Sequence, residues 1–232
     1  MPTGRGPAQA AVLAGFVGGW DATALYFVFP SIRDELAGGD AATASWVLSI
    51  TSIVAAAVML QAGRIGDRVG HVRAFRLGTI GYVLGAAAST VAPGLWILVA
   101  ARGLQAMALA LQGPASMALI LGHTPPGREA RAMGRWGAAT AVAGVLGPIS
   151  VAILLGSVSW RVTFALQIPM AAVLLPMTAA ATNRTEGDTS APFRPLDAAL
   201  AIIGLVALIV PIVEGEDWGW VDPRTLLSLI HI

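Results

Sequence analysis

The sequence predicts an all-α fold, a polytopic bundle of transmembrane helices. Hydrophobic residues make up 56% of the 232 positions and the mean hydropathy is +0.74, which does not suit the surface of a soluble protein. Seven apolar segments have about the length that a helix needs to cross the hydrocarbon core of a bilayer. The charged residues, 12% of the chain, cluster between these segments. The chain is therefore predicted to be an integral membrane protein.

The seven predicted spans follow one another with short connections, at about 9–30, 44–65, 77–91, 95–121, 133–155, 162–181 and 196–213. Span 1 is too long for a cleaved signal peptide and carries Asp21 in its middle, so we expect it to remain as a helix. Residues 1–182 form one predicted six-span unit, residues 183–195 a polar cytoplasmic loop, and residues 196–232 span 7 with the start of an eighth. The last segment predicts that the chain is a fragment.

The arginines are distributed unevenly between the two sides of the predicted bundle. With the amino terminus inside, three arginines lie outside and ten inside, the latter being Arg5, Arg64, Arg68, Arg73, Arg76, Arg128, Arg131, Arg135, Arg184 and Arg194. Positively charged loops are retained in the cytoplasm. We therefore expect a multi-pass protein of the cell membrane, surrounded by the lipid bilayer, with a cytoplasmic amino terminus.

Other classes of function have little support in the sequence. No cysteine is present, and the histidines His71, His123 and His231 are scattered, so we predict neither a disulfide nor a metal site. The sequence shows no nucleophile–base set, phosphate loop or cofactor motif, and we predict that the chain is not an enzyme. Nucleic-acid binding is not expected, because the arginines follow membrane sidedness rather than one face.

Asp21 and Arg102 are the two charges that remain well inside the predicted hydrocarbon region. Asp21 lies about 13 Å below the outer end of span 1, and Arg102 lies about 9 Å below the same side on span 4, at 1.5 Å per residue. A lone charge at this depth is costly and usually functional. If spans 1 and 4 are neighbours, the two side chains can meet directly or through water; the alternatives are a purely structural ion pair or an arginine that extends to the interface.

A compact polar cluster, Gly63-Arg64-Ile65-Gly66-Asp67-Arg68-Val69-Gly70-His71-Val72-Arg73, separates spans 2 and 3. Its glycines and charges predict a tight cytoplasmic turn. It resembles the signature loop G-x-L-A-D-R-x-G-R-R of the major facilitator superfamily, with Gly63, Asp67, Arg68 and Gly70 in place and some of the charge moved to Arg73 and Arg76. The resemblance implies a conformational latch, in which Asp67 accepts hydrogen bonds in one state and loses them in another.

Two further motifs resemble the fourteen-span drug:proton antiporter branch of that superfamily. Span 1 contains Asp21, Thr23 and Pro30 of L-D-x-T-x-V-N-V-A-L-P-x-I, with Tyr26 in place of Asn, and Arg102-Gly103-Leu104-Gln105-Ala106 is similar to R-x-x-Q-G. The resemblance implies that Asp21 couples protons or binds cationic drugs, that Arg102 tunes it, and that Thr23, Tyr26 and Gln105 belong to the same site.

Span 5 resembles the antiporter motif that ends G-P-x-x-G-G. Gly137, Gly144, Gly147 and Pro148 match it, whereas Val151-Ala152 replace the closing glycine pair. Small residues let helices approach closely and proline permits a kink, so ordinary packing of a glycine-rich membrane helix also explains the segment.

The resemblance implies the amino-terminal six-helix half of a major facilitator fold, with one extra helix. It further implies a proton-coupled efflux transporter of hydrophobic or cationic small molecules, acting without a cofactor and together with a carboxy-terminal half that the sequence lacks. The alternatives are a transporter of another small solute within the same superfamily and a membrane fragment that does not transport.

Overall fold

The computed structural model describes residues 5–155 and 159–179, together with the isolated positions 181, 196, 200, 203, 204, 207, 208, 219 and 223. Within this part of the chain there is no strand, which confirms the all-α prediction. The helices are α1 (Arg5–Leu36), α2 (Ala41–Val69), α3 (His71–Thr90), α4 (Leu95–His123), α5 (Glu129–Leu155), α6 (Arg161–Ala172) and α7 (Leu174–Met177).

Six of the seven predicted spans correspond to helices in the described residues. Four helices are long and apolar enough to cross a membrane, and they contain predicted spans 1, 2, 4 and 5. Span 3 is the 20-residue α3, which is not among those four, and span 6 is the shorter apolar stretch Arg161–Met177, formed by α6 and α7. Predicted span 7 lies mostly outside the described residues.

The helices pack in pairs around α4, which contacts α1, α2 and α3. The most extensive pairings are α3 with α4 and α1 with α5. Glycines let both pairs approach closely: a Cβ atom on Gly19 of α1 would lie 2.6 Å from the Thr140 carbonyl oxygen of α5, and one on Gly85 of α3 would lie 2.5 Å from Cγ of Gln105. These contacts bring the polar groups of α1, α3 and α4 within hydrogen-bonding distance.

The connection between α2 and α3 is shorter than the predicted turn. The polar cluster at 63–73 is almost entirely helical, because α2 continues to Val69 and α3 begins at His71. Gly70 alone breaks the helix, with φ 89° and ψ 135°, and its N–H donates to the Gly66 carbonyl oxygen at 2.9 Å. Since only glycine adopts this backbone conformation easily, one residue reverses the chain where a longer loop was expected.

The end of α1 and the start of α6 meet at the side of the bundle far from the amino terminus. Glu35 accepts hydrogen bonds from Arg161 Nη1 at 2.5 Å and from Trp160 Nε1 at 2.8 Å. Arg161 also donates to the Ala92 carbonyl oxygen in the α3–α4 connection, at 3.2 Å. The hydrogen bond from Arg161, followed by that from Trp160, lowers the pKa of Glu35 below its ordinary value of 4.5.

Buried apolar side chains form one large cluster near each end of the bundle. One includes Trp20, Leu98, Trp160 and Phe164, and the other, beside the amino terminus, includes Phe75 and Ile120 among its members. A group of buried polar side chains occupies the level of Trp20 and Leu98 on α1 and α4, inside the protein rather than on its lipid-facing surface.

Candidate functional site

Asp21 and Arg102 form a bidentate ion pair in the interior of the bundle. Arg102 Nη1 donates to Asp21 Oδ1 at 2.7 Å, and Nη2 donates to Oδ2 at 3.1 Å. Asp21 is 1% exposed and Arg102 is fully buried. The close α1–α4 packing thus brings together two residues that are 81 positions apart in the chain.

Two glutamines connect this pair into a closed hydrogen-bonded ring. Arg102 Nη1 donates to Gln105 Oε1 at 2.9 Å, Gln105 Nε2 donates to Gln167 Oε1 at 2.7 Å, and Gln167 Nε2 donates to Asp21 Oδ1 at 2.9 Å. We call these four residues the amide ring. It joins α1, α4 and α6 through groups that are all almost completely buried.

Further side chains bind the amide ring from α2, α3 and α6. Tyr82 OH donates to Gln167 Oε1 at 2.9 Å, and Ser89 Oγ donates to Gln105 Oε1 at 3.1 Å. Thr51 of α2 accepts a long hydrogen bond of 3.5 Å from Arg102 Nη2, and the guanidinium carbon lies 5.7 Å from the centre of the Phe164 ring. The site therefore contains one carboxyl group, one guanidinium and a set of neutral donors and acceptors. In the described residues no three acidic or histidine side chains could hold a metal ion.

The predicted site residues divide into two groups. Gln105 lies in the amide ring beside Asp21 and Arg102, whereas Thr23 and Tyr26 make no hydrogen bond to the ring in the described structure, and their role in the site stays a prediction. Tyr26 is 64% exposed, and Thr23 Oγ1 donates to the Gly19 carbonyl oxygen at 3.1 Å. On a helix, Tyr26 points about 140° away from Asp21, so residues that are close in a span-1 motif occupy different faces.

Sequence reasoning missed Gln167 and Tyr82. Neither residue was among the predicted site residues. The available signal was that each is a polar residue in the middle of an apolar helix, where it needs a hydrogen-bond partner. That signal does not identify the partner, because Gln167 is 146 residues from Asp21 in sequence.

The residues of the predicted conformational latch lie at the α2–α3 junction. Asp67 Oδ1 is 3.4 Å from Nε2 of His71, one helical turn away, and both side chains are partly exposed. Gly63 has open space around it, and Arg64, Arg68 and Arg73 have exposed side chains. His71 thus contacts the aspartate at a position where the family motif has a basic residue.

Arg76 carries part of the charge that the family loop has at 71 and 72. It binds the carboxy-terminal end of the six-span unit, just after α7. Its guanidinium donates to the carbonyl oxygens of Thr178, of Ala179 at 3.1 Å and of Ala181 at 3.3 Å. These carbonyl groups follow α7, so a cation here complements the negative end of the helix dipole. The contact ties α3 to the end of predicted span 6.

The glycines of the predicted antiporter motif differ in how closely they are packed. A Cβ atom on Gly147 would lie 2.5 Å from Thr23 Oγ1 and 3.0 Å from the Trp20 carbonyl oxygen, whereas one on Gly144 would make an ordinary contact at 3.8 Å. Gly137 has nothing within 4 Å, and Pro148 lies inside the continuous helix α5. Gly147 is therefore the motif glycine at which α5 touches the α1 backbone, one turn from Asp21.

Comparison with known families matches residues 11–228, which include all of the amide ring, to the model described as Major Facilitator Superfamily. The chain belongs to the Major Facilitator Superfamily. This major facilitator chain is 32% identical over 208 residues to the "Probable actinorhodin transporter" of Streptomyces coelicolor, a match that covers 86% of the chain and 35% of that relative. It is 28% identical over 210 residues to "Multidrug resistance protein Stp" of Mycobacterium tuberculosis, covering 90% and 39%. The chain thus spans well under half the length of these curated relatives.

Solved structures of transporters share the fold of this major facilitator chain. The peptide transporter POT in complex with sulfate superposes with a TM-score of 0.68 at 20% identity, over 99% of this chain and 49% of that one. A D-xylose–proton symporter gives a TM-score of 0.65 at 13% identity, over 97% of this chain and 65% of the other. At these identities the likeness concerns the fold alone. Membership of the superfamily, together with the apolar helices, makes this a multi-pass membrane protein.

Proposed function

We propose that this chain is part of a proton-coupled efflux transporter of hydrophobic or cationic small molecules, placed in the cell membrane with its amino terminus in the cytoplasm. The observation that carries the proposal is a titratable carboxyl group, Asp21, buried within a membrane-spanning helix and held only by hydrogen-bond donors. A charge in this position is characteristic of ion and proton pathways in transporters. Exchange of one proton at Asp21 would couple the proton gradient to movement of the helices.

The substrate class is supported by the names of the relatives. One is called an actinorhodin transporter, another a multidrug resistance protein, and a third, from Streptomyces glaucescens, a "Tetracenomycin C resistance and export protein" at 26% identity. These names refer to transport, resistance or export, and the export of hydrophobic or cationic compounds by this chain is our extension of them. Because the chain covers 35–39% of these relatives, the activity of a complete transporter is part of the proposal.

The observed hydrogen bonds of the amide ring use Asp21 as an acceptor only, as a carboxylate does. Its two carboxylate oxygens accept three hydrogen bonds, two from Arg102 and one from Gln167. A protonated carboxyl group has an O–H donor of its own and accepts fewer bonds. The neutral form of Asp21 therefore conflicts with at least one of the donors that face it.

Gln167 cannot resolve this conflict by rotating its amide group. Rotation would turn Oε1 towards a protonated Asp21 and Nε2 towards the Tyr82 hydroxyl, which can accept as well as donate, but it would also turn Nε2 towards Gln105 Nε2, which only donates. Two donors would then face each other in a buried site, and an unsatisfied buried polar group costs about 1–3 kcal/mol. Protonation of Asp21 would therefore leave at least one buried hydrogen-bonding group of the amide ring without a partner.

Breaking the amide ring would loosen α1 from α4 and α6. Arg102 would also lose its counter-ion, and removing one partner of a buried pair costs about 3–5 kcal/mol unless another acceptor or water replaces it. A helix shift that admits water or a cationic substrate to the carboxyl group would relieve that cost. In a transporter that works by rocking of its two halves, this is how protonation would favour one state over the other.

The proposal is tested by dye efflux from cells that express the complete transporter of which this chain is proposed to be a part, with and without a protonophore. Asp21→Asn keeps the size of the side chain but cannot exchange a proton, and we expect the protonophore-sensitive efflux rate to fall at least about tenfold. Asp34→Asn is the matched control, because Asp34 is an exposed residue of the same helix and, among the residues that the structure describes, its ion pair is with its neighbour Arg33. Efflux that is unchanged in Asp21→Asn and still sensitive to the protonophore would remove Asp21 from the mechanism.

A further inference from the structure

We infer that a cavity at the amino-terminal end of the bundle binds the phosphate headgroup of an anionic phospholipid. The cavity has a volume of about 1090 Å³ and lies between the start of α1, the end of α4, the start of α5 and α7. It is separate from the amide ring, and the inference rests on the proposed cytoplasmic amino terminus but not on the proposed proton-coupled transport.

Three arginines of one helix face line the cavity. Arg128, Arg131 and Arg135 stand at spacings of three and four residues, which places their side chains on the same side of α5 and its first turn. His123 and Thr124 at the end of α4 add polar groups. Membrane sidedness explains why arginines collect at this end of the bundle, but not why three of them surround a single cavity.

The charge of this cavity is not compensated from within the described chain. None of its lining residues is acidic, and in the described residues none of the three arginines has an ion-pair partner. Guanidinium groups bind phosphate oxygens in pairs of parallel hydrogen bonds, which makes arginine the preferred side chain for this anion.

The remaining wall of the cavity is apolar. Val12 and Leu13 of α1, Ile120 of α4 and Met177 of α7 line it beside the arginines. A free phosphate ion would leave this surface in contact with water, whereas a phospholipid would cover it with the first part of its acyl chains. Basic pockets between transmembrane helices on the cytoplasmic side bind anionic headgroups in this way. The combination of cations and apolar wall therefore favours a lipid over a soluble anion.

The test is native mass spectrometry of the full chain, purified in detergent and mixed with equal amounts of phosphatidylglycerol and phosphatidylcholine that carry the same acyl chains. We expect the protein to retain phosphatidylglycerol in excess, and Arg131→Gln with Arg135→Gln to reduce that excess by about tenfold. The matched control is Arg64→Gln with Arg73→Gln, two exposed arginines at the same end of the bundle that do not line the cavity. The control should keep the preference of the parent protein.

Three results would overturn the inference. Equal retention of both lipids by the parent protein would show that the cavity has no anion preference or is covered by another part of the protein. An equal loss in both double variants would assign the preference to surface charge in general. Displacement of the lipid by millimolar inorganic phosphate would assign the cavity to a soluble anion. If the double variant does not fold, Arg131→Gln and Arg135→Gln are measured singly against Arg64→Gln, with the same expectations.

Discussion

Arg102 shows how a membrane protein keeps a charge in its interior. Its guanidinium donates to Asp21 and Gln105 at 2.7–3.1 Å and lies near the face of Phe164. Even so, a buried ion pair is not by itself a source of stability, because the desolvation of both ions offsets their attraction. A hydrophobic pair of similar volume could fill the space. We therefore interpret the pair as serving function rather than folding.

Gln167 provides the sharpest prediction at the scale of single residues. Gln167→Leu keeps most of the volume but removes the donor to Asp21 and the acceptor for Gln105 and Tyr82. With the ring open, protonation of Asp21 no longer conflicts with α6, and we expect the pH dependence of the efflux rate to shift and its coupling to the proton gradient to weaken. The measurement is dye efflux across a series of external pH values.

Gln112→Leu is the matched control for this variant. Gln112 is also buried and donates to Thr79 at 2.7 Å, but it does not contact the amide ring. Both variants remove buried hydrogen bonds and should destabilise the protein, whereas only Gln167→Leu should alter the pH profile. If the two variants had the same pH profile as the parent, Gln167 would have a structural role alone.

At the scale of helices, the α1–α5 interface decides where Asp21 lies. Trp20 Nε1 donates to Ser150 Oγ at 2.9 Å, and Gly147 lies against the α1 backbone one helical turn from the carboxylate. In a membrane, helices gain little from hydrophobic burial, and close contact of small residues contributes much of their association. Packing on this interface therefore supports the geometry of the site.

Gly147→Ala is expected to destabilise the protein by about 1–3 kcal/mol, because its Cβ would overlap Thr23 and the rigid backbone of α1. Gly137→Ala in the same motif meets nothing within 4 Å and should be neutral or slightly stabilising, since alanine favours helix. Thermal unfolding in detergent, followed by the loss of monodisperse protein, compares the two. Equal unfolding temperatures would contradict the packing role of Gly147.

At the scale of the whole molecule, one pairing of helices is repeated when spans 1–3 are exchanged for spans 4–6. The α1–α5 pairing has an extensive counterpart in the α4–α2 pairing, whereas the α3–α4 pairing has only a weak counterpart in α6–α1. We propose that spans 1–3 and 4–6 are the inverted repeats that the family resemblance implies. In that arrangement Asp21 and Arg102 belong to equivalent helices, and the amide ring lies where the two repeats meet.

The contact of Glu35 with Arg161 and Trp160 joins the two predicted repeats at the far end of the bundle. Since folding lowers the pKa of Glu35, its contribution to stability is present above pH 4.5 and is lost as the pH falls through the lowered value. The groups are partly exposed, so the contribution should be at most about 1 kcal/mol. Glu35→Gln should lower the unfolding temperature at pH 7, and the difference from the parent should shrink in acid.

Asp34→Asn serves as the control for this pH series. Asp34 pairs with Arg33 on the same helix end and joins no other helix, so its loss should leave the pH dependence close to that of the parent. A constant difference between Glu35→Gln and the parent from pH 7 to acid would argue against a role for the ionised Glu35.

From the sequence alone we predicted the all-α class, the approximate positions of six spans that are helical in the described residues, and the two charges at matching depth in spans 1 and 4. Apolar segment length and the cost of a buried charge are local properties, so they can be read from neighbouring residues. The packed bundle was needed to find that Gln167 and Tyr82 contact the site, that Thr23 and Tyr26 lie on other faces of α1, and that Gly70 alone separates α2 from α3. These outcomes depend on which helix faces meet and on one backbone angle, and helix faces distant in sequence are matched only when the bundle packs.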